Sequence, residues 1–570
     1  MILKGIPASG GIAAGPAYIF RHSEVGIRRE TISDPTAEIA RLNAARDAAR
    51  QQLQTLREKT EAEASAEEAA IFDAHAMFLD DPSLLEMVAD VVNREKLNVE
   101  AAWSDGIENF AAQMEMMGDE YLSARAADIR DVGKRVIRIL SGQGETDLSG
   151  LSAPSIILAQ DLTPSDTARL DKQFVLGFAT AEGGPTSHTA ILAKALGLPA
   201  VVGCGPRLSE IASGTDMLIH GAKGELVANP DEATRKQYEK LTGEASRLAE
   251  QELKSAGEHA VTKDGRQVEI VANVGSPSDA VSALKFGAEG IGLLRTEFLY
   301  LERSTAPTEE EQLTAYKAVL DVMETRPVVV RTLDVGGDKQ LDYLDLGKEA
   351  NPFLGWRAIR MCLDKPEFFK IQLRALLRAS PGHDLRIMFP MIATLEEVRR
   401  SKALLAEARQ EVLAGGSPVA DHIQVGIMVE IPAAAQMADL FAKEVDFFSI
   451  GTNDLTQYTM AAERTSEKMA YLADPCHPAV VRQIKRVIEE GHKAGIWIGV
   501  CGEMAGDPEA APVLLGLGLD EFSMAAPGIP HLKAILREWT YAEAKKLAEH
   551  VVNFENGAAV REYVRNYLHE

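Results

Sequence analysis

Cysteine is scarce in this 570-residue chain. Its four cysteines, Cys204, Cys362, Cys476 and Cys501, lie far apart, with no C-x-x-C pair and no metal-finger spacing. Neither a disulfide framework nor a cysteine-built zinc site is expected. No apolar run approaches the roughly 20 residues that span a bilayer. The start, Met1-Ile2-Leu3-Lys4-Gly5-Ile6-Pro7, lacks the sustained apolar stretch of a secretion signal. Together these absences point to a cytoplasmic protein with reduced thiols. An excess of basic charge is also missing: 85 acidic residues face 60 basic ones, for a formal net charge of -25. That argues against general nucleic-acid binding, which needs a basic surface, and favours encounter with a basic protein partner, although ordinary solubility is the plainer role of such a charge. It also makes any arginine cluster informative.

What is present divides by pattern. Residues 1–32 read as short strands and turns. From Ser33, Asp34-Pro35 supplies a cap and a first-turn proline, and Ile39, Leu42, Ala45, Ala49, Leu53 and Leu56 recur at helical spacing. Further helices are expected at 70–79, 83–94, 99–117 and 124–141. Strand-like runs return at 155–158, 174–177 and 217–219. The helical block 33–141 is therefore read as an insertion into an α/β domain made of 1–32 and 142–230. Residues 231–260 form a polar helical linker. From 261 to 570 the chain alternates, with candidate strands at 268–274, 290–294, 328–333, 385–388, 425–429, 447–450, 497–500 and 521–524. Eight such runs predict a (β/α)8 TIM barrel, with a doubly wound open sheet as the competitor.

Two places carry chemistry. In Gly183-Gly184-Pro185-Thr186-Ser187-His188-Thr189-Ala190-Ile191, two glycines precede a histidine in the first turn of an expected helix. Free N–H groups there favour anions and disfavour imidazolium, so a neutral His188 can attack phosphorus. A lone histidine at such a place is more often a simple cap. The second place is the rim where barrel strands end. Arg295, Arg331, Lys339, Arg357 and Arg464 fall there with Glu430, Asn453, Asp454 and Cys501. Arginine forks match carboxylate and phosphate oxygens, and two carboxylates suit Mg²⁺, although salt-bridging to the same arginines is the plainer role. The rim points to a small phosphorylated carboxylic acid with one bound magnesium. Cys501 is either an inert core thiol or a proton donor to an enolate.

In order along the chain, GGPTSH188TAI, GIGLLR295TEFL, R331TLDVGGDK, NPFLGWR357AIR, VE430IPAA, SIGTN453D454LTQY and VC501GEMAG resemble the Enzyme I family of the bacterial sugar phosphotransferase system. The resemblance implies a phosphohistidine α/β domain with an inserted helical domain that docks the phosphocarrier protein HPr, followed by a phosphoenolpyruvate-binding barrel. It implies transfer of phosphoryl from phosphoenolpyruvate to Nε2 of His188 and onward to HPr, the first step of sugar uptake. It assigns phosphoenolpyruvate binding to Arg295, Arg331, Asn453, Asp454 and Arg464, with Arg357 beside them, and Mg²⁺ to Glu430 and Asp454. Cys501 protonates the enolate, and Thr167 orients the histidine. A homodimer through the barrel is implied as well. Pro185 stands where many relatives carry arginine. A regulatory, nitrogen-type phosphorelay and a pyruvate phosphate dikinase-like enzyme are the alternatives.

Overall fold

The computed structural model describes the chain apart from residues 21–25, 64–65, 117–119, 143–150, 152, 168–171, 185–188, 191–192, 194–196, 302, 304, 337–340, 342, 345–348, 350, 464–466 and 570; at some neighbouring helical positions, Thr167 among them, it describes the backbone alone. The chain falls into two compact units, Met1–Ala245 and Ser246–Glu570.

The first unit is built on a mixed sheet. Its strands are β1 (Ile2–Lys4), β2 (Ile6–Ser9), β3 (Ile12–Ile19), β4 (Ser155–Ala159), β5 (Val175–Thr180), β6 (Ala200–Val202), β7 (Asp216–His220) and β8 (Glu225–Ala228), in the order β1-β8-β7-β3-β4-β5-β6-β2. β3 to β6 run parallel, with Ala17 opposite Ile156 and Phe178 opposite Ala200. Alternate residues serve two cores: Ile157 and Phe178 pack in one, Ile156 and Leu158 in the other. The run expected at 174–177 is displaced, because Phe174 closes a 3-10 turn and the strand extends to Thr180.

Between β3 and β4 lie α1 (Pro35–Glu63), α2 (Ala66–Phe78), α3 (Pro82–Glu95), α4 (Val99–Met116) and α5 (Glu120–Leu140). Local chemistry starts α3: Asp81 accepts from the N–H groups of Ser83 and Leu84, and Pro82 takes the first helical position. α4 and α5 approach closely at Gly133, where a Cβ would lie 2.6 Å from Ile107 Cγ2. Fully buried Trp103 donates its Nε1–H to the Gly133 carbonyl at 3.2 Å. The bundle thus has a core of its own, including Leu53, Phe72, Val88, Trp103 and Val136. The polar helix Glu232–Lys254 follows β8, and the division between the two units falls within it.

The second unit opens with β9 (Ala260–Val261), antiparallel to β10 (Gln267–Val274). Then come β11 (Ile291–Leu294), β12 (Val328–Arg331), β13 (Leu385–Phe389), β14 (Gln424–Val429), β15 (Phe447–Ile450), β16 (Trp497–Val500) and β17 (Glu521–Met524). β10 to β17 are parallel, and β10 pairs with both β11 and β17, so the sheet closes into an eight-stranded barrel. The fold class is the expected one, multidomain α/β with an inserted helical bundle and a C-terminal (β/α)8 barrel. Four-residue strands such as β12 and β15 are buried throughout, as parallel strands covered on both faces must be. β12 is shorter than the expected 328–333. Leu333 turns its N–H to the Gln372 side chain at 2.9 Å, so the strand gives way to the rim loop after Arg331. Inside the barrel, Phe447 stacks on Trp497 with centroids 4.5 Å apart, and the Arg386 guanidinium lies over the Trp497 ring. No described helix is long and apolar enough to cross a membrane.

Candidate active site

The rim of the barrel is organised by two buried guanidinium groups. Arg331, the last residue of β12, donates to Glu297 Oε1 at 2.8 Å and lies 3.1 Å from Asp334 Oδ2. Arg357 forms a bidentate pair with Asp334, 2.9 and 3.0 Å, and reaches Asp454 Oδ2 at 3.0 Å and the Tyr458 hydroxyl at 3.3 Å. Burial opposes the charge on each arginine, but the surrounding carboxylates outweigh it and hold both protonated. Gly336 lets Arg357 come this close. Its φ is +112°, and a Cβ there would lie 2.9 Å from Arg357 Cα.

Glu430 directly follows β14 and is 1% exposed. Its Oε1 accepts the N–H of Met391 at 2.5 Å. Met391 holds a φ of +55°, an uncommon angle for a residue with a side chain, so the backbone is bent toward this carboxyl. Burial, then the like charges of Asp454 and Asp334, push the Glu430 carboxyl up to about 8. Asp454 sits in the first turn of the helix Thr452–Met460, directly after β15, and its neighbour Asn453 accepts the Glu503 N–H at 3.0 Å. Gly502 allows this contact between the loops after β15 and β16, since a Cβ on it would lie 2.7 Å from the Thr452 nitrogen.

Cys501 follows β16 and packs with Leu293, Val329, Met388, Met428 and Phe447 inside the barrel. Burial pushes its thiol up to about 11, so at neutral pH it carries a proton to give. Arg295 follows β11 with an exposed side chain.

The structure therefore brings Arg331, Arg357, Glu430, Asp454, Asn453 and Cys501 to one end of one barrel, with Arg295 at the edge. Arg464, His188 and the Thr167 side chain lie outside the described residues, as do Lys339 and Pro185. On either side of His188 the description resumes: Gly183 has a φ of +93°, and Thr189 and Ala190 are helical and buried.

Three participants were not singled out from sequence. Asn273, near the end of β10, donates to the Cys501 carbonyl at 3.0 Å and accepts from the Ser523 hydroxyl at 2.6 Å. A polar residue at the end of an apolar strand is the signal that marks it. Glu297 and Asp334 sit within the quoted motifs, but only the folded barrel shows that they are the arginines' counter-charges.

Known proteins agree with this architecture. Models of the PEP-utilising enzymes match in three parts: the N-terminal domain over residues 4–125, the mobile domain over 151–224 and the PEP-binding domain over 249–541. A phosphoenolpyruvate-protein phosphotransferase of Geobacillus stearothermophilus is 50% identical over 563 residues, 99% of this chain and 97% of that protein. The protein of that name from Bacillus subtilis (strain 168) is 47% identical, over 99% of each chain. An NMR solution structure of Enzyme I is 41% identical over 43% of this chain and 99% of its own, with a TM-score of 0.39. The chain belongs to the PEP-utilising enzymes, and among them to the phosphoenolpyruvate-protein phosphotransferases.

Proposed function

We propose that this enzyme moves the phosphoryl group of phosphoenolpyruvate to its own His188 and then to a histidine of the carrier protein HPr, releasing pyruvate as the first step of phosphotransferase-system sugar uptake. In domain terms, 1–32 with 142–230 carries the phosphohistidine, 33–141 docks HPr, 231–260 links, and 261–570 binds phosphoenolpyruvate. The observation that carries the reading is the buried network of Arg331 and Arg357 with Glu297, Asp334 and Asp454, set beside a protonated Cys501.

Arg295, Arg331 and Arg464 grip the carboxylate and phosphate of the substrate, with Asn453 and Asp454 in contact. Arg357 stands behind them and fixes Asp334 and Asp454. Two buried guanidinium groups face four carboxylates here, Glu297, Asp334, Asp454 and Glu430. A polyanionic substrate needs more positive charge than that. A divalent cation on Glu430 and Asp454 fits: both are oxygen donors, both are buried, and burial together with their mutual repulsion raises Glu430. When bound, Mg²⁺ neutralises charge on the transferring phosphoryl group.

Neutral His188 attacks phosphorus in line through Nε2 while the bond from phosphorus to the enol oxygen breaks. The enolate carbon takes the Cys501 proton, giving pyruvate, and solvent restores the thiol. Phosphorylated His188 then meets HPr on the helical insertion, a face to which the chain's acidic balance draws a basic carrier. Thr167 orients the imidazole, the barrel mediates a homodimer, and the enzyme works in the cytoplasm. The test is labelled phosphoenolpyruvate with Mg²⁺ and HPr. Wild type takes an acid-labile label and passes it on; His188→Ala binds phosphoenolpyruvate and takes none. Labelling of His188→Ala at the wild-type level defeats the reading.

A further inference from the structure

One guanidinium outside the eight βα units ties two rim loops together. The C-terminal helix Gly557–His569 carries Arg561. Its Nε and one terminal nitrogen grip both oxygens of Asp474 at 3.0 and 2.8 Å, and the other terminal nitrogen reaches Asp507 Oδ2 at 2.6 Å and Glu509 Oε2 at 3.2 Å. Arg565, one turn on, donates to Glu509 Oε1 at 3.2 Å. The approach is built in: a Cβ on Gly557 would lie 2.8 Å from Asp474 Cγ.

Each carboxylate closes a loop that carries chemistry. Asp474 lies in the chain between the helix Thr452–Met460, which carries Asn453 and Asp454, and the helix Pro478–Ala494, which starts on His477; its Oδ1 accepts the Cys476 N–H at 2.9 Å. Asp507 ends the segment Cys501–Gly506, and its carbonyl accepts the N–H groups of Ala510 and Ala511. The same two segments touch at their inner ends, where Asn453 accepts from Glu503. They are therefore joined at the reacting end by a neutral hydrogen bond and at the outer end by Arg561. Without the guanidinium, Asp474 and Asp507 lose the cation between them, while Glu509 keeps Arg565.

We infer that Arg561 is a positioning residue for phosphoryl transfer: its fork sets the spacing between the segment after β15, which begins with Asn453 and Asp454, and the segment after β16, which begins with Cys501. The inference rests on the roles given above to those rim residues. Its measure is kinetic, because displacement of a reacting group by about 1 Å costs up to about a hundredfold in rate.

The experiment uses the full chain with phosphoenolpyruvate, Mg²⁺ and HPr, at a temperature well below the thermal midpoint of each variant. Arg561→Gln is expected to raise KM for phosphoenolpyruvate and to lower kcat, each by about tenfold. Arg561→Lys restores the charge but not the fork, so it recovers the thermal midpoint while KM stays raised. Glu509→Gln, which weakens the contacts with Arg561 and Arg565 and spares the Asp474 pair, gives a smaller change in the same direction and serves if Arg561→Gln does not fold. Folded variants with wild-type KM and kcat overturn the inference, as does full kinetic rescue by lysine. A wild-type chain that takes no label from phosphoenolpyruvate fells the reading of the rim, and this inference with it. Labelled wild type beside unaffected variants fells this inference alone.

Discussion

At the scale of single residues, burial decides which protons the barrel keeps. Glu521 begins β17, opposite Glu269 in the register, and both its oxygens lack a hydrogen-bond partner among the described residues. Burial first, then Glu269, pushes its carboxyl up to about 8. In the unfolded chain the same group ionises near ~4.3. Between those values the unfolded state releases a proton that the folded state retains, so barrel stability is greatest at the acid end of the window and falls as pH rises, by about 1.4 kcal/mol per unit. Glu521→Gln should flatten that slope. Thermal midpoints of the barrel at about pH 5.5 and about pH 8 check it, and equal slopes in both proteins refute it. Asn273 offers a kinetic counterpart. Asn273→Ala releases the Cys501 carbonyl, so kcat should fall about tenfold while KM for phosphoenolpyruvate stays within about twofold. A parallel loss in both would show instead that substrate binding is damaged.

Among elements, the start of the rim loop after β12 is held at Leu333 and Gly336. Gly336→Ala forces a side chain into a positive-φ position against Arg357, at a cost of about 1–3 kcal/mol. The displaced Arg357 loosens its hold on Asp334, so KM should rise several-fold. Wild-type kinetics in Gly336→Ala would mean the loop tolerates the shift. Elements of this unit were the most legible ones in sequence. β15, β16 and β17 begin and end at the expected residues, because each is a short apolar run bounded by loop residues and buried on both faces. β6 and β8 went unread, since three or four residues are too few to show a period and their strand state is imposed by pairing with β2 and β7. The site divides in the same way. Arg331, Glu430 and Cys501 stand beside strand ends and can be found by position. Asn273, Glu297 and Asp334 acquire their roles through partners more than thirty residues away or across a loop, which no local pattern encodes.

For the whole molecule, two compact units with separate cores predict two calorimetric transitions. Phosphoenolpyruvate with Mg²⁺ should raise only that of Ser246–Glu570, by about 2.7 kcal/mol at a hundredfold excess over Kd. One transition that shifts as a single event would contradict this. The inserted helices have a different standing. β3 and β4 are parallel neighbours, and parallel strands cannot be joined by a tight turn. The bundle is itself the crossover between them. It is a cassette that another bundle can replace by splicing at the same two strand ends, but fusing those two ends directly would leave β3 and β4 with no path to lie side by side.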